Sequence, residues 1–207
     1  NLSSESDLPP VSGETLFKDV AEHARRLSQT AYERRVGVLP EALNGLDYDQ
    51  YRSIRFRPEA AFWKNIVPFE LQLFHPGSRQ RDTVLLHLVE EGQINAVPFD
   101  RALFRYDGST IPVAGMDGLE FGHAGFRIHY PLNDAAVSDE VIVFLGASYF
   151  RMLSRRHVYG LSCRGLAVDT GLNRGEEFPV FQEFWLVRPD PGGTTMTFYA
   201  LLDSPSV

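Results

Sequence analysis

Nine side chains with the chemistry to grip a ligand fall within about forty-five residues of this chain: Ser148, Tyr149, Arg151, Tyr159, Arg164, Asp169, Glu176, Glu177 and Trp185. They ride on three strand-like apolar runs, Val141–Leu145, Val158–Val168 and Phe178–Val187. Aromatic planes beside carboxylates and guanidiniums suit a sugar ring, whose apolar face stacks while planar charged groups bind its hydroxyls. The alternative is a β-sandwich core with ordinary ion pairs at its rim. A second dense cluster, Tyr48, Asp49, Tyr51, Arg52, Arg55 and Arg57, reads either as the lining of a polyol groove or as a clasp between helices and sheet.

Several other chemistries lack their motif. The six histidines show neither HExxH nor HxH spacing, so no metal site is expected. No GxSxG elbow surrounds Ser148, which is therefore a poor nucleophile. No P-loop and no strand-coupled GxGxxG occurs, which disfavours a nucleotide, and no cofactor is expected. The single cysteine, Cys163, excludes an internal disulfide. Its place in an apolar run predicts a buried, inert thiol. His87, in a strand pattern, is expected to be a satisfied core or interface group.

Paired carboxylates remain, as glycoside hydrolysis uses one protonated and one ionised. Asp169, Glu176, Glu177, Glu183 and Asp203 lie in the right neighbourhood, with Asp169 and Glu177 the catalytic candidates. For each, an ion pair with Arg164, Arg174 or Arg188 is the competing role. Glu176 and Glu177 are adjacent, so in an extended segment they face opposite ways.

The elements that must position these groups follow from pattern. The formal net charge of −7 disfavours nucleic acid, which selects a basic stripe. No apolar run approaches the ~20 residues that cross a bilayer, and no signal peptide opens the chain. Residues 1–11 read as an extended arm ending in Pro9-Pro10. Ser12 can cap a helix over Glu14–Ser28 whose apolar face is Leu16, Phe17, Val20, Ala21, Ala24 and Leu27. Two short helical turns follow, Pro40–Leu43 and one capped by Asp47, then a strand over Ile54–Arg57. From Phe69 the chain reads as strands, Thr83–Val89, Gln93–Pro98, Leu103–Tyr106 and Thr194–Leu202 among them. Turn signals recur about every ten residues, which predicts an antiparallel sandwich. A strand ends at Leu202 and a turn begins, the pattern of a segment from a longer protein.

The stretches FLGASYFR, VYGLSCRGLAVDT, GEEFPVFQEFW and YALLDSPS, with LDYDQYRSIRF and FWKN before them, are similar in order and spacing to the periplasmic glucan biosynthesis proteins of the G and D types. The resemblance runs from about Phe17 through nearly the whole chain. It implies a mostly β fold, a large antiparallel β-sandwich of the galactose-mutarotase-like type with a short N-terminal helical segment. Residues 12–207 would be the N-terminal portion of that domain, with the rest of the sandwich and an immunoglobulin-like domain beyond. It implies export, by a signal peptide in the precursor, to the periplasm of Gram-negative bacteria. It implies work on osmoregulated periplasmic glucans, whose backbone is β-1,2-linked glucose; some members are inverting β-1,2-glucanases. On that footing Tyr149, Tyr159 and Trp185 would stack on β-1,2-glucan, and Arg151, Arg164, Tyr51 and Arg52 would bind it. The general-acid aspartate would lie beyond Val207. The other reading is a non-catalytic glucan-binding scaffold that assists a membrane glucan synthase.

Overall fold

The computed structural model describes residues 12–34, 39–107, 122–146 and 148–207. The arm expected at residues 1–11 lies outside them. The chain opens with helix α1, Gly13–Leu27, where the Ser12 hydroxyl accepts from Thr15 N at 3.1 Å. Glu14 in its first turn and Arg25 and Arg26 in its last complement the helix dipole. Two short helices follow, α2 (Glu41–Asn44) and α3 (Tyr48–Ser53), the latter closed by a reciprocal cap between Asp47 and Gln50. Strands β1 (Ile54–Phe56) and β5 (Phe104–Tyr106) form a two-stranded antiparallel ribbon beside them.

The remaining strands make two sheets. The larger runs β2 (Glu70–Phe74), β6 (Gly125–Asp134), β7 (Val137–Leu145), β8 (Tyr149–Met152) and β9 (Leu161–Arg164), all antiparallel neighbours in that order. The smaller runs β11 (Phe198–Asp203), β10 (Val180–Val187), β3 (Leu85–Glu90) and β4 (Gln93–Ala96). Here β3 and β10 pair in parallel, from Leu85↔Glu183 to Val89↔Val187. The expectation of an antiparallel sandwich holds for the other strand pairs of the two sheets. The exception arises because the chain leaves β3, builds most of the other sheet, and returns beside it in the same sense. No helix among the described residues is long and apolar enough to cross a membrane.

Alternation decides what lies between the sheets. Leu71, Leu73, Phe126, Ile128, Ile142 and Phe144 point inward from the larger sheet, and Leu86, Leu88, Phe181, Phe184 and Leu186 from the smaller. The layers interlock through aromatic edges: Phe126 meets Phe184 at 4.9 Å and Phe144 meets Phe181 at 5.2 Å, both T-shaped. Strand β10 is buried along nearly its whole length, because α1 covers its outer side through Leu16 and Val20. Gly125 is required where β6 crosses β7, since a Cβ there would collide with the Phe144 carbonyl.

Two expectations are corrected. The run Val158–Val168 forms a strand only at Leu161–Arg164, and Cys163 is exposed rather than buried. β9 is the outermost strand of its sheet, so the apolar pattern that implied a core position has no layer above it among the described residues.

Two histidines are sealed beside the ribbon. His75 lies against Phe99, Phe104 and Tyr106, and His123 against Phe99 and Phe104. His75 Nδ1 faces the Pro76 carbonyl at 2.5 Å, so it must donate, and Nε2 then accepts from the Tyr106 hydroxyl at 3.0 Å. Burial pushes both imidazoles down to about 4. Unfolded, each titrates near pH 6.5. As pH falls from about 6.5 toward about 4, the unfolded chain takes up protons that the fold refuses. Stability should therefore drop across that window and level off below it, by at most about 3 kcal/mol for each histidine. Urea unfolding at a series of pH values reads this directly. Phe184→Ala, which opens a cavity between the sheets, should cost about 3–5 kcal/mol in the same assay.

Candidate functional site

The outward side chains of the larger sheet form a polar face. One register row runs Gln72, Arg127, Val143, Arg151, Ser162 across all five strands. The next rows carry Phe74 and Leu145, and Tyr149 opposite Arg164. Two depressions indent this face. One, of about 400 Å³, is lined by Glu140, Val143, Tyr149, Arg151 and Ser162 among others. The other, of about 470 Å³, lies toward the β1–β5 ribbon and takes in Tyr51, Arg52 and Arg127. Both include Phe74 and Leu145, so they adjoin along one trough-like face of the sheet.

An ionic ladder crosses its floor. Arg127 donates from Nε (3.0 Å) and Nη2 (2.8 Å) to Gln72 Oε1, and from Nη1 (3.1 Å) to Glu140 Oε2. Arg151 Nη2 donates to the other oxygen of Glu140. Each carboxylate oxygen thus holds one guanidinium, and four strands, β2, β6, β7 and β8, are tied by charge-assisted bonds. Arg127 also sits 5.6 Å from the Phe74 ring centre. At the far end Arg164 lies 4.9 Å over the Tyr149 ring and 5.6 Å from that of Phe178, and pairs with Glu176. The Tyr149 ring therefore has one face covered by a cation, and the residue is 37% exposed. Rigid planes and fixed donors in an open channel can bind a polyhydroxylated chain without reorganising.

The structure brings Tyr149, Arg151, Arg164, Tyr51 and Arg52 to this face or its edges. Tyr51 is a wall element: its hydroxyl donates to the His75 carbonyl at 2.8 Å, and burial raises it to about 12. Tyr159 is 86% exposed on the loop between β8 and β9, outside the trough lining. Trp185 is corrected outright. It is 7% exposed and stacks at 5.4 Å on His87 beneath α1, on the other side of the core from Tyr149. Alternation puts Trp185 opposite Phe184 on β10 but does not say which layer covers it. His87 is satisfied, as expected, by Glu183 Oε1 at 2.5 Å.

The two catalytic candidates also stand apart from the trough lining. Asp169 accepts from Arg174 at 2.5 Å, the competing role considered above. Glu177 accepts from the Ser204 hydroxyl at 2.6 Å and from the Ser206 hydroxyl at 2.7 Å. Those bonds, Ser204's first, hold its carboxyl below the usual range, which suits an ionised acceptor and not an acid. Glu176 turns the other way, to Arg164, as adjacency required. The Ser148 hydroxyl is buried without a hydrogen-bond partner among the described residues. Gln72, Phe74, Arg127 and Glu140 are the residues that sequence reasoning missed. A signal was present for Arg127 alone, since Arg127 and His129 interrupt Phe126, Ile128 and Tyr130 at period two.

The chain is thus a two-layer β-sandwich whose larger sheet carries arginines, a glutamate and aromatic rings on its outer face. Comparison with known proteins narrows this. Residues 16–207 match the family described as periplasmic glucan biosynthesis protein, MdoG. The chain is 48% identical over 189 residues to glucans biosynthesis protein G of Ralstonia nicotianae, covering 91% of this chain and 37% of that protein. It is 47% identical over 189 residues to the protein of the same name from Rhodopseudomonas palustris, with the same coverage. Against the one from Shewanella frigidimarina it is 43% identical over 209 residues, covering 100% of this chain and 37% of that protein. The chain belongs to the periplasmic glucan biosynthesis protein family. It spans about 37% of the length of these relatives.

Removing the centre of the ladder should be felt more than removing one arm. Glu140→Ala leaves Arg151 unpaired and Arg127 with Gln72 alone and should cost about 1–2 kcal/mol, whereas Arg151→Ala, with Arg127 still held by Gln72 and Glu140, should cost less than about 1 kcal/mol. Paired urea denaturation curves test the order. Trp185→Ala should cost about 3–5 kcal/mol by cavity formation under α1.

Proposed function

We propose that the protein acts in the periplasm in making osmoregulated periplasmic glucans, and that this segment supplies the face on which the glucose polymer lies. The observation that carries the reading is the adjacency of two depressions on one sheet face: they share Phe74 and Leu145, flank the Arg127–Glu140–Arg151 ladder, and end at Tyr149 under Arg164. A β-linked glucan presents apolar ring faces and rows of hydroxyls. Phe74 and Tyr149 meet the first, and Glu140 and the guanidiniums, that of Arg127 held in place by buried Gln72, meet the second. The backbone proposed is β-1,2-linked glucose, the polymer of the family the sequence resembles.

The full-length protein would cleave this polymer by an inverting mechanism, with the acid supplied from outside this chain. Inverting hydrolysis needs a protonated carboxyl and a second carboxylate about 6.5–9.5 Å away with room for water. Glu140 has both oxygens bound by arginines, which suits positioning better than proton transfer. That engagement also favours the second reading, a glucan-binding scaffold that assists a membrane synthase. Exposed apolar side chains at the β9 side, Val158, Leu161 and Phe178, support a sandwich that continues with further strands. An immunoglobulin-like domain would follow.

Tyr149→Ala in the full-length protein should weaken binding of a linear β-1,2-gluco-oligosaccharide by about 1–3 kcal/mol, read by calorimetry. Unchanged affinity in a folded variant would remove the trough from the reading. Release of reducing sugar from the polymer supports hydrolysis; binding without release supports the scaffold.

A further inference from the structure

The depression nearest the β1–β5 ribbon is crowded with positive charge. Arg52, Arg55, Arg105 and Arg127 all line it, in a chain whose formal net charge is −7. Arg127 is engaged by Gln72 and Glu140. Arg52, Arg55 and Arg105 have neither an ion pair nor a side-chain hydrogen bond among the described residues, whereas neighbouring Arg57 has Glu59 at 3.6 Å.

The register sharpens the point. Arg55 and Arg105 are direct partners across the β1–β5 ladder. Like charges placed directly opposite each other on an antiparallel pair destabilise it. The ribbon is only three residues long on each side, and its other pairs are Ile54 with Tyr106 and Phe56 with Phe104, the two phenyl rings T-shaped at 5.6 Å. A short ribbon whose register pairs Arg55 with Arg105, with Arg52 of α3 lining the same depression, carries a charge cost, modest because all three are exposed, that a bound anion would relieve. Guanidinium forks match tetrahedral oxyanions, and several together favour a dianion over a single carboxylate.

We propose that this depression is an oxyanion subsite in which Arg52, Arg55 and Arg105 receive a phosphate-type group carried on the glucan. It rests on the trough reading for what carries the group, because Phe74, Leu145 and Arg127 join the two. A glucan lying along the sheet places a charged substituent of its terminal units over the ribbon, and the neutral rings remain over Phe74 and Tyr149. The subsite distinguishes decorated from undecorated polymer by charge, at the end of the trough away from Tyr149.

Calorimetry on the full-length protein in dilute chloride buffer tests this with three probes: inorganic phosphate, a neutral β-1,2-gluco-oligosaccharide, and the same oligosaccharide bearing one terminal 6-phosphate. The phosphorylated sugar should bind about tenfold or more tighter than the neutral one, with an advantage that shrinks as salt rises. Arg55→Gln combined with Arg105→Gln should abolish that advantage and leave affinity for the neutral sugar within about threefold. Arg105→Lys, which keeps the charge and loses the fork, should retain part of it. In chloride alone the double variant should melt no lower than the parent, because a repulsion is removed. Equal binding of the two sugars by the parent protein overturns the proposal, as does an undiminished preference in the folded double variant. If inorganic phosphate binds through these arginines while the neutral sugar does not bind at all, the oxyanion subsite stands and the glucan trough falls.

Discussion

The interlock of phenylalanine rings between the two sheets is the constraint on which the rest depends. Phe126 and Phe144 of the larger sheet meet Phe184 and Phe181 of the smaller edge to face at 4.9–5.2 Å, from strands that are far apart in sequence. Aromatic edges of this kind fix both the spacing and the relative placement of two layers. Once Phe126 and Phe144 are committed inward, Arg127 and Val143 must face outward in the adjacent register positions. The trough is thus the reverse side of the core. A slip of one residue on β6 or β7 would bury a guanidinium and expose a phenyl ring, which no surface interaction could offset.

That outer face is held flat and open by charge. Glu140 comes within reach of both Arg127 and Arg151 partly because the β6–β7 register shifts after Ile128, so that His129 stands opposite Glu140. Such irregularities re-aim side chains without ending the ladder. The guanidinium and carboxylate groups involved are a quarter to half exposed, so their Coulomb energy is screened and their contribution to stability is modest. Their larger effect is geometric. Donors fixed by one another present the same pattern to every ligand, and a ligand that matches it binds without first ordering the site.

The opposite side of the sandwich is organised differently. There α1 lies over β10 and β11, and Trp185, His87 and Glu183 form a stacked and hydrogen-bonded group beneath it. The same strand, β10, gives Phe184 and Leu186 to the central core and Trp185 to this second one. A strand covered on both faces explains the apolar run FPVFQEFW, interrupted only by Gln182 and Glu183, better than surface exposure would. It also explains why an aromatic side chain with a suitable chemistry for sugar stacking serves packing here.

The sequence by itself determined the mostly β character, the capped first helix, the opposition of Glu176 and Glu177, and the family. Each rests on local signals: period-two alternation, a cap three residues from its acceptor, or long motifs in a fixed order. It also singled out Tyr149, Arg151 and Arg164, but in one set with Tyr159 and Trp185, which the fold places elsewhere. Only the tertiary structure decided that Trp185 belongs under α1, that Cys163 is exposed at an outer strand, and that Gln72, Phe74 and Glu140 complete the trough. Those facts depend on pairings such as β3 with β10, whose contacting residues His87 and Glu183 are 96 positions apart. Alternation tells which side chains share a face of a strand. Which layer covers that face is set by long-range packing, whose partners leave no mark at short spacing.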